Sequence, residues 1–227
     1  MKTRKWLRVA AAAAILALLL AAIIWDSAHN GSLTGNFVSG NLRKDDIGES
    51  PPRGRSKIQD ELSRLKWVTQ AFLPINEFSR PGTLISSVNA IVIHYVGNPG
   101  TTAAQNRSYF AGLRLTGATY ASSNFIIGLD GEIVQCVPVD EIAYASNSRN
   151  GDTLSIELCH PDETGKFTDE TYASAVRLTA WLCGQYGLTS DDVIRHYDIT
   201  GKDCPKYFVE NEDAWVQFKA DVASEIG

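Results

Sequence analysis

The chain reads as an α/β protein, a mixed β-sheet flanked by helices in a single domain, preceded by an N-terminal transmembrane helix. Three observations predict this. Short apolar runs alternate with stretches of helical periodicity across residues 88–226, as when strands and helices are layered on one another. Asp130-Gly131 sits between the apolar runs 121–129 and 132–137, and that dipeptide tolerates the positive φ of a tight hairpin. Lys2, Arg4, Lys5 and Arg8 precede an uncharged apolar stretch from Val9 to Trp25. At about 1.5 Å per residue that stretch covers most of a ~30 Å hydrocarbon core.

In chain order, residues 1–8 are a basic cytoplasmic flank and residues 9–25 a signal anchor. The positive-inside rule then puts everything beyond residue 25 outside the cytoplasm. Cleavage as a signal peptide, releasing a secreted protein, is the alternative. Residues 26–56, rich in Gly, Ser, Asn, Asp and Arg and broken by Pro51-Pro52, have linker composition. The domain spans 57–227. Ile58, Leu62, Leu65 and Val68 share a face at helical spacing, and Pro74 and Arg80-Pro81-Gly82 close that segment. Residues 88–96 read as a strand, 102–113 as a helix after Asn98-Pro99-Gly100, and 153–159 as a further strand. Thr168 to Tyr186 is a helix with a threonine cap, Asp169 and Glu170 in its first turn and Gly187 to end it. Residues 193–195 form a short strand, and 213–226 a closing helix with Trp215, Phe218 and Val222 on one face.

Charge is divided along the chain. Residues 1–66 carry eleven Lys/Arg against six Asp/Glu, whereas residues 67–227 carry ten against twenty. An acidic body argues against a nucleic-acid partner, because that binding rests on neutralising phosphates. Four cysteines in an exported protein suggest disulfides. Cys136, Cys159 and Cys183 nonetheless fall in strand-like and helical runs that suit buried free thiols, with a Cys136–Cys159 bridge the open alternative. A monomer is the expected state.

The chemistry concentrates in two segments. Ile91-Val92-Ile93-His94-Tyr95-Val96-Gly97 is an apolar strand carrying one of only four histidines. Val193 to Pro205 carries His196 and, eight positions later, Cys204 within Gly201-Lys202-Asp203-Cys204-Pro205. Two imidazoles and one thiolate make three ligands and leave a fourth zinc position open, the layout of a catalytic site. The soft thiolate favours Zn²⁺ over magnesium or calcium. Glu157 lies in the apolar run Leu154-Ser155-Ile156-Glu157-Leu158, where a carboxylate is costly unless paired or functional.

These segments resemble the zinc-dependent N-acetylmuramoyl-L-alanine amidases, the family of phage lysozyme-type amidases and peptidoglycan recognition proteins. The resemblance covers roughly residues 70–220. It implies metal ligation by His94, His196 and Cys204, and hydrolysis of the amide between N-acetylmuramic acid and L-alanine of peptidoglycan. It further implies that Glu157 handles the proton of water and that Lys202 steadies the oxyanion. Ser123 and Ala145 stand where many relatives have tyrosine and histidine. Ser123, Asn124, Asn147 and His160 are the remaining candidates for contact with muropeptide. A non-catalytic muropeptide-binding module is the rival reading, and the presence of Cys204 tells against it.

Overall fold

The computed structural model describes residues 56–227. The predicted basic flank, the anchor and all but the last residue of the linker lie outside the described residues. Among the described residues, no helix is long and apolar enough to cross a membrane.

Six strands form one mixed sheet: β1 (Val68–Gln70), β2 (Ala90–Tyr95), β3 (Phe125–Ile127), β4 (Ile133–Gln135), β5 (Thr153–Leu158) and β6 (Val193–Arg195). Their spatial order is β1-β4-β3-β5-β2-β6. Only β3 and β4 run antiparallel, joined through Asp130-Gly131 as the sequence predicts. Gly131 is needed twice over there. Its φ is +77°, and an added Cβ would lie 2.8 Å from the Glu170 carbonyl oxygen on the neighbouring helix.

Among the described residues six α-helices surround the sheet: α1 (Lys57–Leu62), α2 (Ala103–Thr116), α3 (Asp169–Tyr186), α4 (His196–Thr200), α5 (Lys206–Glu210) and α6 (Glu212–Glu225). The α3 boundaries follow from its caps. The Thr168 side chain accepts from the Thr171 N–H, and Gly187 ends the helix in the left-handed region at φ 66°. A capping box of Thr102 and Gln105 starts α2.

One expectation fails at the start of the domain. The helical spacing of Ile58, Leu62, Leu65 and Val68 suggests one helix, yet α1 stops at Leu62 and Val68 begins β1. Pairing of Val68–Gln70 with Ile133–Gln135 covers the outer edge of β4, which a longer helix would leave unpaired. Gln59 reinforces the outcome, exchanging side-chain hydrogen bonds with Gln135 and accepting from the Val139 N–H.

Because side chains alternate along a strand, the sheet has two different faces. Ile91, Ile93, Phe125, Ile127, Leu154, Ile156 and Val193 join Leu178, Leu182, Phe218 and Val222 of α3 and α6 in the larger core. On the other face, Ile126 packs with Phe110 and Leu113 of α2 in a smaller cluster. On the rest of that second face Val92 is buried beside Ser155, and His94 and Glu157 open onto a cleft. Cys136, Cys159, Cys183 and Cys204 are all unbridged and buried, as free thiols should be.

Candidate metal centre

Strand register builds the site. β2 pairs β5 in parallel with His94 opposite Glu157, so both side chains rise from the same face. β2 pairs β6 with Ile93 opposite Arg195, which brings the next residue, His196, level with His94 as the chain turns into α4. The turn is held from behind. Arg195 points to the far face, where its guanidinium donates to Asp198, Glu212 and the Phe208 carbonyl and lies over the Trp215 ring. Gly201 ends α4 at φ 73°, and the chain doubles back until the Tyr197 N–H donates to the Cys204 carbonyl at 2.9 Å. That bond sets Cys204 beside His196.

The three donor atoms of His94, His196 and Cys204 lie within 4.8 Å of one another, and all three residues are buried. His94 Nδ1 faces Cys204 Sγ at 3.8 Å, and the two imidazole centroids are 4.8 Å apart. Each histidine also has a polar neighbour at Nε2. Asn147 Oδ1 is 2.8 Å from His196 Nε2, and Ser146 Oγ is 3.4 Å from His94 Nε2.

The electrostatics suit a bound cation. Burial, then the neighbouring His196 and Lys202, hold the His94 pKa well below its ordinary value. Burial and Lys202 lower that of His196. Both shifts favour the neutral ring, the form that can donate a lone pair. Burial, with the charge of Glu157 next, pushes the Cys204 thiol up to about 12, against the opposing effect of the Tyr95 backbone N–H. A thiol so placed ionises only beside a strong positive charge, which a divalent ion supplies. Two imidazoles and a thiol converging without a competing carboxylate fit a borderline-soft metal ion.

These residues line the floor of a cleft of about 410 Å³, whose walls include Tyr95, Tyr120, Tyr144 and Asn147. Glu157 and Lys202 face the same space. Glu157 Oε2 is buried and has no hydrogen-bond partner among the described residues. Burial raises its carboxyl to about 8, with Lys202 pulling the other way. A purely structural carboxylate here would form a salt bridge to Arg195 or Lys202; among the described residues neither forms, and Arg195 is engaged by acids on the opposite face.

Three of the residues expected to touch substrate do other work. The Ser123 hydroxyl is fully buried, 2.8 Å from both the Phe125 and Ser155 carbonyls. Asn124, also fully buried, donates to the Pro138 and Glu141 carbonyls and accepts from the Ser155 N–H. His160 donates through Nδ1 to the Asp162 carbonyl and packs its ring on Tyr95. All three tie loops to the sheet and none lines the cleft. Asn147 does line it, although its carbonyl is turned to His196. Sequence reasoning passed over Ser146 and the tyrosines of the cleft wall. For Tyr144 and Ser146 the one signal was a position shortly before the strand that carries Glu157, and for Tyr95 its place next to His94.

The family profile described as N-acetylmuramoyl-L-alanine amidase matches residues 85–207, which contain every residue of the centre. A probable N-acetylmuramoyl-L-alanine amidase of Bacillus licheniformis is 31% identical over 172 residues, covering 70% of this chain and 48% of the relative. The 1,6-anhydro-N-acetylmuramyl-L-alanine amidase AmpD of Enterobacter cloacae is 30% identical over 156 residues, covering 65% of this chain and 75% of the relative. The catalytic domain of XlyA superposes with a TM-score of 0.59 at 25% identity, covering 68% of this chain and 98% of that one. The chain spans about half the length of the first of these relatives. With its sheet, its cleft and its His94–His196–Cys204 cluster, the chain belongs to the N-acetylmuramoyl-L-alanine amidase family, a family of metal-dependent amidases.

Proposed function

We propose that this chain is a zinc hydrolase that cleaves the amide between the lactyl group of N-acetylmuramic acid and L-alanine in peptidoglycan. The observation that carries the reading is the convergence of His94, His196 and Cys204 beneath a cleft that Glu157 and Lys202 also line. One nitrogen of each imidazole and Cys204 Sγ would hold the metal. When bound, zinc supplies Lewis acidity for the scissile carbonyl and lowers the pKa of water in the site.

The chain's own groups do the rest. Glu157 takes a proton from the attacking water and returns it to the leaving amine of L-alanine. Its buried environment raises the carboxyl's affinity for that proton, and the charge of Lys202 acts in the opposite sense. Lys202, two residues before Cys204, offsets negative charge gathering on the carbonyl oxygen. Tyr95, Tyr120 and Tyr144 supply apolar ring faces for the sugar and peptide of the substrate. With residues 9–25 as a membrane anchor, residues 57–227 work on the extracytoplasmic side as a monomer.

Zinc analysis of the purified chain, followed by mass spectrometry of digested peptidoglycan, tests the proposal. It predicts one zinc per chain and a new L-alanine amino terminus without new reducing ends. Reducing ends without free L-alanine would make the chain a glycosidase, and bound muropeptide left uncut would make it a binding module.

A further inference from the structure

We infer that Asn147 is a positioning residue for the metal centre: its side-chain carbonyl fixes His196 in the tautomer that leaves Nδ1 free as the metal-binding atom. The inference rests on the zinc reading above. Strand register and the α4 turn place the His196 backbone. Neither settles the rotation of the ring or which nitrogen carries the proton. Asn147 Oδ1, 2.8 Å from Nε2, settles both, because an amide carbonyl only accepts and so requires the proton on Nε2.

The backbone at this position supports the same conclusion. Asn147 has φ 52° and is the only non-glycine residue with positive φ among the described residues. A glycine would adopt that conformation more readily, so what asparagine adds is its side chain. The surrounding segment is clamped so that the acceptor cannot drift. Asn150 Oδ1 receives the N–H groups of both Ala145 and Ser146, and the Tyr144 N–H donates to Ser122 Oγ. The preceding residue, Ser146, is fully buried, with its hydroxyl 2.9 Å from Ser155 Oγ and 3.4 Å from His94 Nε2. Two consecutive residues thus face the outer nitrogens of both histidines.

Two variants of the full chain test this. Asn147→Gly keeps the backbone conformation and deletes the acceptor, while Asn147→Asp keeps the acceptor and adds charge. Zinc affinity is read by competition with a chromophoric chelator. The His196 tautomer is read from long-range ¹H–¹⁵N correlation spectra of the metal-free protein. Asn147→Gly should bind zinc about 10–100-fold more weakly, the usual scale for a lost partner of a ligand histidine, and should mix the two tautomers. Its metal-free melting temperature should match the parent's. Asn147→Asp should bind at least as tightly as the parent. Parent-like zinc affinity or an unchanged tautomer in Asn147→Gly overturns the inference, as does Asn147→Asp binding as weakly as Asn147→Gly. In those cases the parent still takes up zinc and only the role of Asn147 falls. A parent chain that takes up no zinc overturns the zinc reading and this inference with it.

Discussion

The two faces of one sheet carry opposite cargoes. On the face covered by α3 and α6, Ile91, Ile93, Leu154 and Ile156 pack with Phe218 and Val222 in a dry core. On the other face the same two strands present His94, Ser155 and Glu157, with His196 following at the end of β6. Adjacent residues of a strand point to opposite faces, so a period of two lets apolar burial stabilise the fold on one side while costly polar groups are collected on the other. Damage to the two faces should therefore separate cleanly into loss of chemistry and loss of stability.

Cys204→Ser should have the largest effect. Replacing the thiolate with a neutral hydroxyl should release the metal, and losing a Lewis acid worth several kcal/mol should lower turnover on the order of 10⁴-fold. Metal analysis alongside turnover checks it, and stoichiometric zinc with near-parent turnover would remove Cys204 from the ligand set. On the other face, Phe218→Ala should cost about 3–5 kcal/mol of stability, read by urea unfolding, because a fully buried ring packed with Trp215 and Phe208 leaves a cavity. Below its unfolding temperature that variant should keep parent zinc affinity and turnover. A large loss of either would show that the faces are not independent.

Glu157→Gln and Lys202→Ala should each slow turnover roughly a hundredfold or more while retaining zinc. Parent-like rates in both would end the mechanism and leave the metal site standing. A smaller effect separates burial from catalysis. In the metal-free protein the Glu157 carboxyl is raised to about 8, so the fold favours its neutral form. That contribution is fully present below the unfolded carboxyl's pKa and is lost as pH rises towards 8. The parent should lose up to about 1.4 kcal/mol per pH unit across this window relative to Glu157→Gln. The difference between the two proteins isolates this group from His94 and His196, whose lowered pKa values act in the opposite direction. Equal pH dependence of unfolding in both would show that Glu157 is solvated. The smallest effect is expected from removing residues 1–56, which should leave the folding and turnover of 57–227 near those of the full chain.

Much of this was legible in the sequence because local rules decided it. Thr168 and Gly187 bound α3, Asp130-Gly131 turns the hairpin, and strand alternation sets His94 against Ile91 and Ile93. What was not legible depended on partners far away in the chain. Val68 shares a helical face with Leu62 but is taken into the sheet by Ile133. Ser123 and Asn124 look like exposed polar residues beside a site, yet distant carbonyls consume their hydrogen bonds. The meeting of Asn147 with His196, 49 residues apart, depends on a loop conformation that no spacing encodes.

The central claim is that two imidazoles and one thiolate hold zinc on the polar face. X-ray absorption at the zinc edge of the purified full chain tests it most directly. The account predicts one sulfur at about 2.3 Å and two imidazole nitrogens at about 2.0–2.1 Å. A shell with no sulfur, or with more than one, would contradict it.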